Sequence, residues 1–197
     1  MSEDPDRPLL SAVAEGREDA LRELMVRHKE AVFRFAYRFL QNEADAAEIA
    51  AETFVRVYRN AAKFQPRAKV STWIFTIASN LCRDHARKAW RHKVFSLFAP
   101  DADSREHNPT TPESRLADDQ PNAGESLALR ESVAEALAAV DALPLKLKSP
   151  FILQVLEEKS QRECAQILGI SEKAVETRVY RARKRILNTL EHKRTSS

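Results

Sequence analysis

Glycine is almost missing from this chain: 197 residues hold three, Gly16, Gly124 and Gly169. Loops that cradle phosphate need several glycines close together, so that backbone amides can approach the anion. No two stand near each other here, which excludes P-loop and dinucleotide-binding folds. The same scarcity argues against a β protein rich in tight hairpins. Cysteine is as sparse, with only Cys82 and Cys164. They are far apart and form no CxxC pair, so neither a disulfide framework nor a metal knuckle is expected. Two buried thiols in a reducing compartment are. No apolar run approaches bilayer length, and the acidic start MSEDPDRPLL lacks the apolar core of a signal peptide. HExxH, GxSxG and paired metal-ligand motifs are absent. The expectation is a soluble cytoplasmic protein that is not an enzyme, with no cofactor, no metal and no small-molecule substrate.

What is present is uneven charge. Net charge is only +3, yet residues 1–94 carry 17 basic and 13 acidic side chains, residues 95–126 carry 2 and 7, and residues 127–197 carry 13 and 9. Two basic blocks flank an acidic middle. That distribution permits nucleic-acid binding, and it equally suits two solvated helical surfaces joined by an acidic loop.

Helical periodicity dominates the first block. From Glu18 to Leu40 the apolar residues Leu21, Leu24, Met25, Val32, Phe33, Phe35, Ala36 and Phe39 fall on one face at 3.6-residue spacing. After a break at Asn42-Glu43, Asp45 is expected to cap a helix running to about Ala62, with Ile49, Phe54, Val57 and Tyr58 inward. Phe64 to Lys69 reads as a loop around Pro66. Ser71 or Thr72 then opens a helix through Lys93, with Ile74, Ile77, Ala78 and Leu81 as core. Between Ser96 and Ser126 the pattern fails amid Pro100, Pro109, Pro112 and Pro121, so a flexible acidic linker is expected. Periodicity returns with helices over Leu127–Val140 and Leu147–Leu156, separated by Leu143-Pro144. The predicted fold is all-α: two small helical domains, residues 1–94 and 127–197, joined by a linker over 95–126.

The sharpest local signal lies between Gln161 and Arg185. Ser160-Gln161-Arg162-Glu163 is a capping box. Ala165, Gly169 and Val175 supply the small crossing residue, the turn residue tolerant of positive φ, and the apolar anchor that a helix-turn-helix requires. Ile167, Leu168 and Ile170 supply the core between them. Ser171 caps the second helix, which carries Lys173, Glu176, Thr177, Arg178, Arg181, Arg183, Lys184 and Arg185. In the major groove, Lys173, Glu176, Thr177 and Arg178 would face base edges. The later arginines would hold phosphates, giving affinity without sequence information.

At these residues the chain resembles the sigma-70 family of transcription initiation factors, in its extracytoplasmic function (ECF) subgroup. Gly169-Ile-Ser-Glu-Lys-Ala-Val-Glu-Thr-Arg-Val-Tyr-Arg-Ala-Arg-Lys-Arg-Ile resembles the recognition helix for the −35 promoter element. Leu143-Pro144 and Phe151-Ile-Leu resemble the start of the same domain. Asp45-Ala-Ala-Glu-Ile-Ala-Ala-Glu-Thr-Phe-Val-Arg-Val-Tyr resembles the helix that docks on the polymerase clamp. Ser71-Thr-Trp-Ile-Phe-Thr-Ile-Ala-Ser-Asn-Leu-Cys-Arg-Asp-His-Ala-Arg-Lys resembles the helix for the −10 element. The motifs stand in the family's order and cover nearly everything but the linker and termini. Two departures are visible. Glu48 and Ala51 replace an aspartate-based pair and a glutamine common in the clamp helix. Glu176 and Thr177 stand where lysine and serine are common, so the promoter read cannot be copied from a relative.

The resemblance implies residue roles. Asp45, Glu48, Glu52, Phe54, Arg56 and Arg59 would meet core RNA polymerase. Phe64, Trp73, Asn80, Arg83, Asp84, Arg87, Lys88 and Arg91 would serve the −10 element of promoter DNA. Arg83, Arg87 and Arg91, four apart, form one basic stripe, with Phe64, Trp73 and Phe75 beside it. Trp73 suits the core as well as it suits a wedge, and His85 reads as a surface or packing residue. Ser171, Lys173, Glu176, Thr177, Arg178, Arg181, Arg183 and Lys184 would serve the −35 element. The resemblance further implies stress or environmental control through an anti-sigma factor, and a linker that passes near the polymerase active site. A stand-alone helix-turn-helix regulator is the alternative; it leaves the N-terminal motifs unused.

Overall fold

The computed structural model describes residues 4–98 and 123–195. Among them every regular element is helical. The first module contains α1 (Arg7–Ala14), α2 (Glu18–Leu40), α3 (Glu43–Asn60), a 3₁₀ turn at Ala61–Lys63, and α4 (Val70–Phe98). The second contains α5 (Ala123–Asp141), α6 (Leu145–Phe151), a π turn at Ile152–Leu156, α7 (Gln161–Leu168) and α8 (Glu172–Thr195). Most of the stretch expected as a linker lies outside the described residues.

The first core is built where three amphipathic faces meet. α2 contributes Leu24, Val32, Phe35, Ala36 and Phe39, α3 contributes Ala46, Ile49, Ala50, Phe54 and Val57, and α4 contributes Val70, Ile74, Phe75, Ala78 and Cys82, all buried. Phe35 meets Phe75 edge-on at 5.7 Å between centroids, the arrangement the ring quadrupoles favour. Leu21, Met25 and Phe33 are only partly buried, so the inward face of α2 is narrower than the periodicity suggests. Tyr58, expected inside, is 45% exposed, and Thr53 is buried in its stead with its hydroxyl bonded to the Ile49 carbonyl. The cap of α3 also differs: the Asn42 side chain accepts from the Asp45 amide at 2.9 Å, and Asp45 lies in the first turn. Asn42 is the better-placed acceptor because it stands before the first helical residue, where orphan amides point.

In the second module the helix-turn-helix forms as its sequence requires. The Ser160 hydroxyl accepts from the Glu163 amide at 3.2 Å while the Glu163 carboxylate accepts from the Ser160 amide at 3.1 Å. Gly169 ends α7 with φ +64°. Ser171 accepts from the Ala174 amide at 3.2 Å and so starts α8. Ala165, Val175, Val179 and Ala182 are buried at the helix crossing. Pro150 sits inside α6, and the π turn follows immediately. Both cysteines are buried, and burial pushes each thiol up to about 12.

Burial alone would push the Glu163 carboxyl up. Its bonds to the Ser160 hydroxyl and amide, with Lys69 beside it, outweigh this and hold it below the usual carboxylate value. A depressed carboxyl adds stability above its unfolded pKa and loses it as pH falls through the folded one. Ser160→Ala is expected to destabilise the chain by about 1 kcal/mol in urea unfolding. The deficit of the variant should shrink as the pH drops into the range where Glu163 protonates.

Candidate nucleic-acid interface

α4 has two faces of different character. One is the core stripe just described. The other carries Asn80, Asp84, Arg87, Lys88 and Arg91, all exposed, and the half-buried Arg83. Arg83 donates to the Asn80 side chain and, at 3.2 Å, to the Ser79 carbonyl. Burial, and then the neighbouring charge of Arg87, pull its pKa below the ordinary arginine value. Asp84 lies 3.7 Å from Arg87 and interrupts the positive field. Trp90 is 66% exposed on this face. It is absent from the sequence expectations, although its place between Lys88 and Arg91 offers an aromatic ring beside two cations, the combination that single strands stack on.

A groove of about 870 Å³ runs between α3 and α4, lined by Glu48, Glu52 and Arg56 on one wall and Asp84, His85, Lys88 and Arg91 on the other. Glu52 and Arg56 pair at 2.8 Å. Across the groove His85 approaches Asp45 to 3.4 Å, so His85 ties the two helices together. Of the residues expected to face polymerase, Glu48, Arg56 and Arg59 are exposed and Asp45 and Glu52 partly so. Phe54 is not: it is 2% exposed and belongs to the core. It can position α3 but cannot itself touch a partner. Phe75 needs the same correction, being 1% exposed rather than set beside the basic stripe.

The loop before α4 forms a second, smaller cavity of about 270 Å³. Phe64 and Trp73 pack at 5.3 Å between centroids and line it with Arg67, Thr72 and Thr76. Trp73 is partly buried, so it serves both as packing and as pocket wall. Gln166 of α7 completes the lining, because the second module rests against the first at this point. Around the contact Lys69 meets Glu163 at 3.1 Å, Arg38 meets Glu157 at 2.7 Å, and Lys159 sits 4.4 Å over the Phe75 ring.

The outer face of α8 is polar. Ser171, Lys173, Glu176, Arg181, Arg183 and Lys184 are exposed, and Thr177 and Arg178 are partly so. Lys173 and Glu176 pair at 2.9 Å, and the Thr177 hydroxyl donates to the Lys173 carbonyl at 2.9 Å. The Thr177 bond must loosen before that hydroxyl can donate elsewhere, whereas Lys173 keeps two further N–H donors and Glu176 can only accept. Arg178 carries no such tie among the bonds of the described residues, and a guanidinium suits a bidentate contact with guanine. Among the described residues no group of three or more metal-ligating side chains occurs, and no helix is long and apolar enough to cross a membrane.

Comparison with known proteins finds two family matches in this order. Sigma-70 region 2 matches residues 24–92, and Sigma-70, region 4 matches residues 134–186. The chain is 30% identical over 184 residues to the ECF RNA polymerase sigma factor SigW of Bacillus subtilis, spanning 92% of this chain and 94% of that one. It is also 30% identical over 184 residues to the RNA polymerase sigma factor CnrH of Cupriavidus metallidurans, spanning 93% of each. The solved structure of CnrH with the cytosolic domain of CnrY superposes with a TM-score of 0.68 at 26% identity, covering 96% of this chain and 99% of that one. The sigma factor RpoE from Bartonella quintana, solved with the anti-sigma factor NepR, shares the fold with a TM-score of 0.62 at 19% identity, over 86% of this chain and 96% of that one.

Exposed cations that replace condensed counterions set the salt dependence of duplex binding. Arg87→Ala and Arg181→Ala are each expected to lower the slope of log affinity against log salt by about 0.9, measured by fluorescence anisotropy on a duplex.

Proposed function

This chain belongs to the ECF subgroup of the sigma-70 family, and from that premise we propose how it selects promoters. Residues 1–94 form the module that docks on core RNA polymerase and captures the −10 element. Residues 127–197 read the −35 element, and residues 95–126 connect them. The observation that carries this reading is the pair of basic helical faces, on α4 and α8, in two modules that match sigma-70 regions 2 and 4 in the family's order.

Roles follow from exposure and chemistry. Glu48, Glu52, Arg56 and Arg59, with Asp45, present the polymerase-docking surface of α3. Arg83, Arg87, Lys88 and Arg91 hold the phosphate backbone at the −10 element, while Asn80 offers an amide to a base. The Phe64–Trp73 cavity receives a base expelled from the stack, since melting a duplex needs a pocket or stacking partner for it. On α8, Lys173, Glu176, Thr177 and Arg178 contact base edges, Ser171 lies at the helix start, and Arg181, Arg183 and Lys184 hold phosphates. The chain performs no chemistry of its own; the polymerase does. It works in the cytoplasm, under a stress or environmental signal, and an anti-sigma partner restrains it. That partner is supported by the two relatives solved with CnrY and with NepR. A stand-alone regulator would leave the region 2 match and the α3 surface without use.

Run-off transcription with purified core polymerase on a genomic fragment library is the test. The chain should redirect the polymerase to a defined set of start points sharing −10 and −35 sequences. Arg178→Ala should remove discrimination at the −35 base pair it contacts, a loss of about 1–3 kcal/mol, while the −10 preference persists. Start points unchanged by the chain would contradict the proposal.

A further inference from the structure

α4 has no cap of its own. Ala68, Lys69 and Val70 offer no side-chain acceptor at the helix start, where the first amides need one. The acceptor comes from 66 residues away: the Asp4 carboxylate takes the Val70 amide at 2.7 Å through Oδ2 and the Asp6 amide at 3.2 Å through Oδ1. The arm that carries Asp4 is itself anchored. Asp6 is 6% exposed and meets Arg27 at 2.8 Å and His28 at 2.7 Å, both on α2. A carboxylate at this end also complements the positive pole of the helix. Thr72, Trp73 and Thr76, in the first two turns of α4, line the small cavity with Phe64. We infer that Asp4 is a positioning residue for −10 selection: it fixes the start of α4, and through it the walls of the base-receiving cavity.

This inference rests on the −10 role proposed above, and the test keeps the two apart. Single-round transcription would compare the mapped promoter with versions carrying single-base changes in the −10 or the −35 element. Asp4→Ala should compress the −10 discrimination ratio about fivefold, the strength of one lost cap, and leave the −35 ratio unchanged. Asp4→Asn keeps an acceptor oxygen and should restore the ratio. An unchanged −10 ratio in Asp4→Ala, or equal losses at both elements, would overturn the positioning role. Failure of the unaltered chain to direct any start would instead sink the sigma reading.

Independently of that cap, the geometry points to a closed state held by Glu157. Its side chain is 3% exposed, with Arg38 at 2.7 Å and Arg34 at 3.7 Å, both from α2. Arg38 also donates to the Leu156 carbonyl at 2.5 Å. The turn that delivers Glu157 includes Glu158 at φ +52°, a conformation costly for a residue with a β-carbon. Lys159 over Phe75 and Lys69 with Glu163 complete the contact. The result lays α7 at the cavity, where Gln166 joins the lining. The second module thus shields the −10 cavity of the first, and promoter binding requires the Glu157 contact to break.

Glu157→Arg places a third cation beside Arg34 and Arg38 and should open the chain. Small-angle scattering would then give a larger radius of gyration. A labelled single strand bearing the mapped −10 sequence should bind about tenfold tighter if the closed state holds about nine-tenths of the unaltered molecules. Combining Glu157→Arg with Arg34→Glu and Arg38→Glu should reverse both changes in part, since a carboxylate at position 38 cannot donate to the Leu156 carbonyl; a merely misfolded variant would show no reversal. An identical radius and strand affinity for Glu157→Arg and the unaltered chain would overturn the closed state. So would a charge exchange that moves neither quantity back toward that of the unaltered chain.

Discussion

The packing of α4 onto α2 and α3 is the interaction from which the rest follows. Val70, Ile74, Phe75, Ala78 and Cys82 are sunk into the first module, and this fixes the rotation of the helix about its axis. Beyond Cys82 the described helix leaves that core, and residues 87–92 are exposed on every side, so Arg87, Lys88 and Arg91 stand in solvent because α4 outruns its packing partners. The core fixes the direction in which that basic end projects. Phe35 and Phe75 set the depth at which α4 lies, and Phe54 does the same for α3. Truncating a buried phenylalanine typically costs about 3–5 kcal/mol. Such a loss would disturb the interface without removing any residue that touches a partner.

The helices were legible in the sequence wherever apolar periodicity was long. α2 begins at Glu18 and ends at Leu40, as the pattern from Glu18 to Leu40 indicates. The capping box at Ser160 and the left-handed turn at Gly169 were legible because both depend on contacts between residues close in sequence. What failed depends on the tertiary neighbourhood. For Phe54 the periodicity and the resemblance disagree: the spacing puts it inward, as it is, and the polymerase contact that the resemblance implies is the part that fails. Tyr58 groups with Ile49, Phe54 and Val57 on the expected inner side, yet lies where α3 meets solvent. Asn42 and Asp45 both make good caps, and only the exact start of α3 separates them. Asp4 and Glu157 were invisible as binding groups because their partners stand far away in sequence, on α4 and α2. No periodicity or spacing reports such pairs.

On the proposed reading each module binds weakly by itself. Each offers a short polar face, interrupted by an acid: Asp84 beside Arg87, and Glu176 beside Lys173. On a phosphate backbone those acids would cost affinity and so limit binding to arbitrary duplex. Selectivity then comes from joining the two faces on one partner, which raises the effective concentration of the second contact only when the geometry fits. In the structure the modules lie against each other, with α7 at the cavity before α4. The polymerase would have to hold them at promoter spacing, by way of the α3 surface, before both faces can engage the same duplex.

The affinity of a promoter duplex for the free chain, set beside its affinity for the chain assembled with core polymerase, tests this most directly. Anisotropy titrations at one salt concentration should give weak, nearly sequence-independent binding by the free chain and tight, sequence-selective binding by the assembly. Equal affinity and equal selectivity in the two titrations would contradict the account.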